Sequence, residues 1–335
     1  MMRYRYSFVV ISALLVGLMA GTSQVSAQIK IKIGKLPGGS GFHIPSYVAM
    51  ERGFYKEEGL DATFVNLVGK AQVTAGMTGA IDFSAIVSGS AQATLSGAEL
   101  RYVVGEALKS HWVIISKPSI AKPEDLRGKI VGYGRQGSAD YDEGAAVMLR
   151  AFKMSPGKDY KVISLPGEPD RVAALINGSI DAGLVTVPHV PAAINGGQKV
   201  LLRVGDYIQR AGGTIWTRKA FVDQHPEAIP KFIRAIAKAI MYYRTNKEGS
   251  MAILKKVLGV KTDKDAEVVW EQTKDTYGAE LPKESFRQIF ESRRQAMIAG
   301  GQWAKDKPLP DPEQWLLRDV LEKTLAEMKY EPAKL

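Results

Sequence analysis

Cysteine is absent from the 335 residues. Its absence excludes disulfides, a thiolate nucleophile, thiolate metal sites and lipid attachment at an N-terminal cysteine. Neither a G-x-S-x-G elbow nor an H-E-x-x-H helix occurs, and the S-x-x-K at Ser119–Lys122 lies between Pro118 and Pro123 without the partner motifs of a penicillin-binding enzyme. Charge of one sign is not concentrated anywhere. Lys and Arg exceed Asp and Glu by ten, yet no basic run of five or more appears and signs alternate along the helical stretches. That pattern speaks against nucleic acid and for a basic surface with a mild preference for anions.

Long apolar runs are confined to the start of the chain. Residues 1–27 carry Arg3 and Arg5, an apolar run from Phe8 to Ala20 and the small residues Val25-Ser26-Ala27, the pattern of a secretory signal cut before Gln28. The run is short for a membrane anchor. The remainder is expected to be a soluble periplasmic monomer, long enough for two cores.

Short β-type runs alternate with helical ones: "IKIKIG", "DATFV", "AIDFS", "LRYVVG", "HWVIIS", "KIVGYG", "YKVISL", "DAGLVTV", "KVLLRV" and "GTIWTR". The class is α/β with mainly parallel sheets flanked by helices. After Ala220 the pattern is helical, with Thr262 expected as an N-cap and Gly278 as the C-cap of the same segment. An internal echo organises the chain. "GAIDFSAIV" matches "GSIDAGLVT", setting Asp82 and Asp181 99 residues apart, while Gly34 and Gly132, and Gly39-Ser40 and Gly137-Ser138, are 98 apart. Two similarly built lobes follow: residues 28–115 begin the first, 116–213 form an inserted second, and 214–335 return to the first. The crossings, near Ser116 and Thr214, would form a hinge around a ligand cleft. Asp82 and Asp181 are read as turn carboxylates bonding nearby backbone amides.

"GYGRQGS", Gly132 to Ser138, spells G-x-G-x-x-G. A dinucleotide site needs an acidic residue closing the next strand about 20 residues on. Here Asp159 precedes "YKVISL" and Glu168 lies well past it, so no nucleotide cofactor is expected. The loop is read instead as a helix start capped by Ser138, where Gly137, Ser138 and Ala139 offer amides to an anionic group and Arg135 offers a paired set of donors. Gly39 and Ser40 would act alike in the first lobe, and Val87, Ser88 and Gly89 would form a second helix start there. His43, His111 and His189, the last following Pro188, fall at predicted cleft edges. No carboxylate or cysteine joins them at ligand spacing, so they are read as hydrogen-bond donors to an anion, with a metal site as the alternative. Phe42, Trp112 and Tyr141 would wall an apolar part of the ligand.

"YVAMERGFYKEEGLDATFV", "GAIDFS", "KPEDLRGKIVGYGRQGS", "RVAALINGSIDAGLV" and "FVDQHPEAIPKFIRAIAKAI", in that order, resemble type II periplasmic solute-binding proteins of the sulfonate, nitrate, taurine and thiamine-precursor group. The resemblance implies a two-lobed fold without catalysis that hands a small organic anion, a sulfonate or carboxylate, to an ABC permease and its ATPase at the inner membrane. The rival readings are a pyrimidine-synthase-like enzyme on the same fold, whose cysteine-rich motif this chain lacks, and a periplasmic metal-binding or sensor protein.

Overall fold

In "IKIKIGK" apolar and charged residues alternate, which sends Ile31 and Ile33 into the core and Lys30 and Lys32 to solvent. The computed structural model describes residues 28–37, 39–207 and 213–333, so the expected secretory signal and Gly212 lie outside the described residues. The first part of the chain runs β1 (Ile29–Lys35), α1 (Ile44–Glu51), α2 (Phe54–Glu57), β2 (Leu60–Asn66), α3 (Gly69–Thr78), β3 (Phe83–Ser84), α4 (Val87–Leu95) and β4 (Leu100–Gly105). The middle runs β5 (Trp112–Ser116), β6 (Ile130–Tyr133), α5 (Ala139–Phe152), β7 (Lys161–Ser164), α6 (Glu168–Ile176), β8 (Ala182–Thr186), α7 (Val190–Asn195) and β9 (Lys199–Arg203). After β10 (Thr214–Arg218) come α8 (Lys219–Gln224), α9 (Ala228–Thr245), α10 (Lys247–Leu258), α11 (Asp263–Thr273), α12 (Lys283–Ala299) and α13 (Arg318–Glu327).

The strands form two five-stranded sheets, ordered β2-β1-β3-β10-β4 and β7-β6-β8-β5-β9. Both are mixed. In the first, β1 pairs parallel with β2 and β3, while β10 runs antiparallel between β3 and β4. In the second, β6 pairs parallel with β7 and β8, while β5 runs antiparallel between β8 and β9. Each sheet thus takes its one reversed strand from a point where the chain changes sheet. The predicted first crossing near Ser116 lies too late, because β5 already pairs with β8 from Trp112 onward. Its five residues are all buried, an apolar run that reads equally well as the end of one core or the start of the next.

Helices cover the sheets. The amphipathic α9 buries Ile229, Phe232, Ile233, Ile236, Ile240 and Tyr243, and Phe232 stacks on Phe83 with ring centres 3.9 Å apart. Thr262 caps α11 by accepting from the amide of Asp265 (3.1 Å). Gly278 is not the cap of that helix, which ends at Thr273. It donates its amide to Glu106 O (3.1 Å), and a side chain there would run into Leu108 and Glu280, so close packing rather than a left-handed turn selects glycine.

Candidate functional site

The carboxyl ends of the two sheets meet. Past the end of β1 the chain makes a 3-10 turn, Gly41–His43, and the Gly41 amide donates to Oγ1 of Thr186, the last residue of β8 (3.2 Å). A Cβ at Gly41 would stand 2.9 Å from Pro188 Cδ and 3.0 Å from Thr186 Cβ, so only glycine admits this approach. The other amides of the turn are also committed within the protein: Ser40 N–H donates to the Tyr47 hydroxyl (3.1 Å) and Phe42 N–H to Ser40 Oγ (3.5 Å).

Gly41 O is held from the far side by His111 Nδ1 (3.1 Å) and by the Tyr277 hydroxyl (2.5 Å). A carbonyl only accepts, so Nδ1 of His111 carries the proton, leaving Nε2 to face Thr276 Oγ1 at 2.7 Å. Burial drives the His111 pKa down to about 4, and the ring is neutral. Both nitrogens are taken up inside the protein. Phe42 stacks on the same imidazole (5.2 Å) and lies 5.0 Å from Trp112.

Two buried carboxylates, neither of them among the sequence-derived candidates, brace this region. Glu106, in the first crossing, accepts from Ser46 N–H (3.2 Å) and Ser46 Oγ–H (2.5 Å) and pairs with His43 Nδ1 (3.0 Å). Its backbone bonds the second crossing: Glu106 N–H donates to Gly213 O and Gly213 N–H to Ala107 O, each at 3.1 Å. Glu168, at the start of α6, accepts both the amide (2.5 Å) and the hydroxyl (2.6 Å) of Thr186. His189 Nε2 stands 3.6 Å from Glu168, too far for a hydrogen bond. This nitrogen and Trp112 Nε1 are buried without a partner among the described residues. An unmet buried group of this kind costs about 1–3 kcal/mol.

A narrow pocket of about 10 Å³, room for roughly one water, lies at the carboxyl edge of the first sheet, among Lys35, His43, Ser46, Tyr47, Phe64 and Ser84. In the second half, each glycine of "GYGRQGS" has its own cause. Gly132 leaves room for Ile180, and Gly134 for the carboxylate of Asp140. Gly137 has φ +83, with open space around it. Ser138 stands at the N-cap of α5, but its hydroxyl turns to Arg135 O (2.5 Å) and to Asp140 instead of capping an amide. Ala139 opens the helix and Tyr141 rests its edge on Tyr133 (5.8 Å). The first turn of α5 carries Asp140 and Asp142, which pair with Arg171 and Arg293. Arg135 is exposed and makes no ion pair among the described residues. By contrast α4, starting at Val87 with Ser88 and Gly89 half-buried, has no acidic residue in its first turn.

The structure therefore brings Gly41, Phe42, His43, His111, Trp112, Pro188 and His189 together, and leaves Arg135 at the surface. Among the described residues no three His, Asp or Glu side chains are grouped as a metal ion would need. Glu106, Glu168 and Thr186 gave no sequence signal, since their partners lie on other elements.

The NMT1/THI5-like family model matches residues 41–249. Over 148 residues the chain is 30% identical to the taurine-binding periplasmic protein of Escherichia coli (strain K12), a match covering 43% of this chain and 45% of that protein. It thus spans less than half the length of that relative. The periplasmic aliphatic sulphonate binding protein SsuA from Escherichia coli superposes with a TM-score of 0.69 at 20% identity, covering 88% of this chain and 99% of that one. The periplasmic nitrate-binding protein NrtA from Synechocystis PCC 6803 gives 0.71 at 15% identity, covering 91% and 90%.

Proposed function

The chain belongs to the NMT1/THI5-like family, and from that premise we propose that it is the periplasmic solute-binding component of an ABC-type importer, capturing a small organic anion between its halves and delivering it to a permease driven by an ATPase. The observation that carries this reading is the meeting of both sheets' carboxyl ends at Gly41 and Thr186, beside buried ring nitrogens of Trp112 and His189 that lack partners among the described residues. Ligands of open α/β sheets bind at that edge. The names of the taurine-, sulphonate- and nitrate-binding relatives agree with an anion.

The two crossings, bonded to each other at Glu106 and Gly213, serve as the hinge. The ligand enters with the halves apart and both close on it, so that the permease meets the closed form. Arg135, on the rim, joins the anion on closure. Cleavage before Gln28 releases the protein into the periplasm, where it acts as a monomer without turnover.

A thermal-shift screen of sulfonates, carboxylates, nitrate and pyrimidines tests the reading. A ligand at 100 times its Kd adds roughly 2.7 kcal/mol of stability. Shifts given only by nicotinamide cofactors, or conversion of the bound compound, would overturn it.

A further inference from the structure

Lys35 closes β1 at the carboxyl edge of the first sheet, half-buried, with its ammonium 5.4 Å from the ring centre of Tyr47 and 5.7 Å from that of Phe64. All three residues line the narrow pocket at this edge, together with Ile33 and Ile215. The lysine makes no ion pair among the described residues. At the matching carboxyl edge of the second sheet the buried cation Arg171 is paired with Asp140, and at the opposite edges of the two sheets Arg218 pairs with Asp82 and Lys117 with Asp181.

The repeat sharpens the contrast. Ninety-eight residues beyond Lys35 stands Tyr133, and the same step from Phe42 leads to Asp140. Tyr133 is fully buried, edge-on to Tyr141 and Tyr160, and Asp140 holds Arg171. The second half thus neutralises its own helix start with chain carboxylates, whereas the first half keeps an uncompensated cation over an aromatic floor. Two rings compensate a half-buried ammonium only in part, and an anion would complete its surroundings.

We propose that Lys35 is the residue that selects the ligand's charged group, and that the ligand is a monoanionic organic acid whose charge sits at Lys35 and whose apolar part lies on Tyr47, Phe64, Ile33 and Ile215. A lysine presents one compact charge, and the apolar floor adds affinity that an inorganic oxyanion of the same charge cannot use. The proposal rests on the reading of this edge as the ligand site. It assigns the main anion contact to the first half and gives Arg135 a lesser part.

Isothermal titration of the whole mature chain with 1-butanesulfonate, benzoate, sulfate and nitrate tests it, on wild type, Lys35→Met, Lys35→Arg and Arg135→Met. Wild type should bind an organic anion more tightly than sulfate or nitrate. Lys35→Met should lose about ten-fold or more in affinity, Lys35→Arg should keep most of it, and Arg135→Met should lose less than Lys35→Met. Because the Lys35 side chain holds no hydrogen bond or ion pair among the described residues, the unliganded melting temperature of Lys35→Met should stay close to wild type, and Lys35→Gln serves as a second probe. Undiminished binding by both neutral variants would overturn the role of Lys35 and leave the importer reading standing. Binding of sulfate or nitrate alone would overturn the organic ligand, and binding of none of the four would overturn the anion reading together with this one.

Discussion

Asp82 and Asp181 make the same three contacts in the two halves of the molecule. Asp82 Oδ2 accepts from the amide of Lys32 (2.9 Å), its own amide donates to Lys32 O (2.8 Å), and Oδ1 meets Arg218 (3.2 Å). Asp181 repeats this with Ile130 N–H (2.9 Å), Ile130 O (2.8 Å) and Lys117 (2.8 Å). Each carboxylate therefore ties the strand it precedes to the neighbouring strand and to a cation at the end of the reversed strand. Burial raises the Asp181 pKa, but the Ile130 amide and the Lys117 ammonium outweigh it and leave the group below the usual carboxylate value.

Asp82→Ala and Asp181→Ala should accordingly cost similar amounts, about 1–3 kcal/mol each, by stranding one amide and one cation. Urea denaturation of the two variants measures this. A silent substitution at either position would break the equivalence.

Acid should weaken the fold through His111. Its folded pKa of about 4 lies below the ordinary value of 6.5, so between those values the unfolded chain binds a proton that the folded chain refuses. Stability from this group is complete above pH 6.5 and is lost as pH falls toward 4, by at most roughly 3 kcal/mol. His111→Gln should lose less stability than wild type between pH 7 and pH 5 in parallel urea titrations.

At the "GYGRQGS" loop, Gly134→Ala should destabilise more than Gly137→Ala. The first forces a methyl against the Asp140 carboxylate, which Arg171 holds in place, at about 1–3 kcal/mol. The second enters open space and costs about 1 kcal/mol for its left-handed backbone. Equal melting temperatures would mean that Asp140 can shift.

Arg293, on α12, reaches Asp142 of α5 (2.6 Å) and Gln92 of α4 (2.8 Å), and so spans the two halves. Arg293→Ala should let the ligand-free protein open, seen as a larger radius of gyration in solution scattering that shrinks again at saturating ligand. An unchanged radius in both states would remove the closure mechanism.

All ten strands lie at the apolar runs from which they were expected, because alternation and turn residues are local signals. β3 is cut back most, from "AIDFS" to Phe83–Ser84. The site was less legible. "IKIKIGK" contains three lysines, two of them solvated, and nothing in the spacing marks Lys35 as the one that meets Tyr47 and Phe64. Glu106 was hidden for a similar reason, since its partners His43 and Ser46 lie about 60 residues earlier. Arg135 drew attention as an arginine in a glycine loop, a pattern that does not reveal whether the side chain turns inward. Helix ends that rest on tertiary packing, as at Gly278, were equally invisible.

The placing of β10 between β3 and β4 dictates an order of assembly. Everything the second sheet requires lies within residues 112–203, so that sheet has its full complement while the chain is still emerging from a ribosome or a translocation pore. The first sheet, begun eighty residues earlier, waits with an empty slot until Thr214–Arg218 arrives to bridge its two parts. The half that starts first must finish last, and until then the facing edges of β3 and β4 are exposed to wrong partners. A chain that pauses before residue 218 would hold one finished half and one open one.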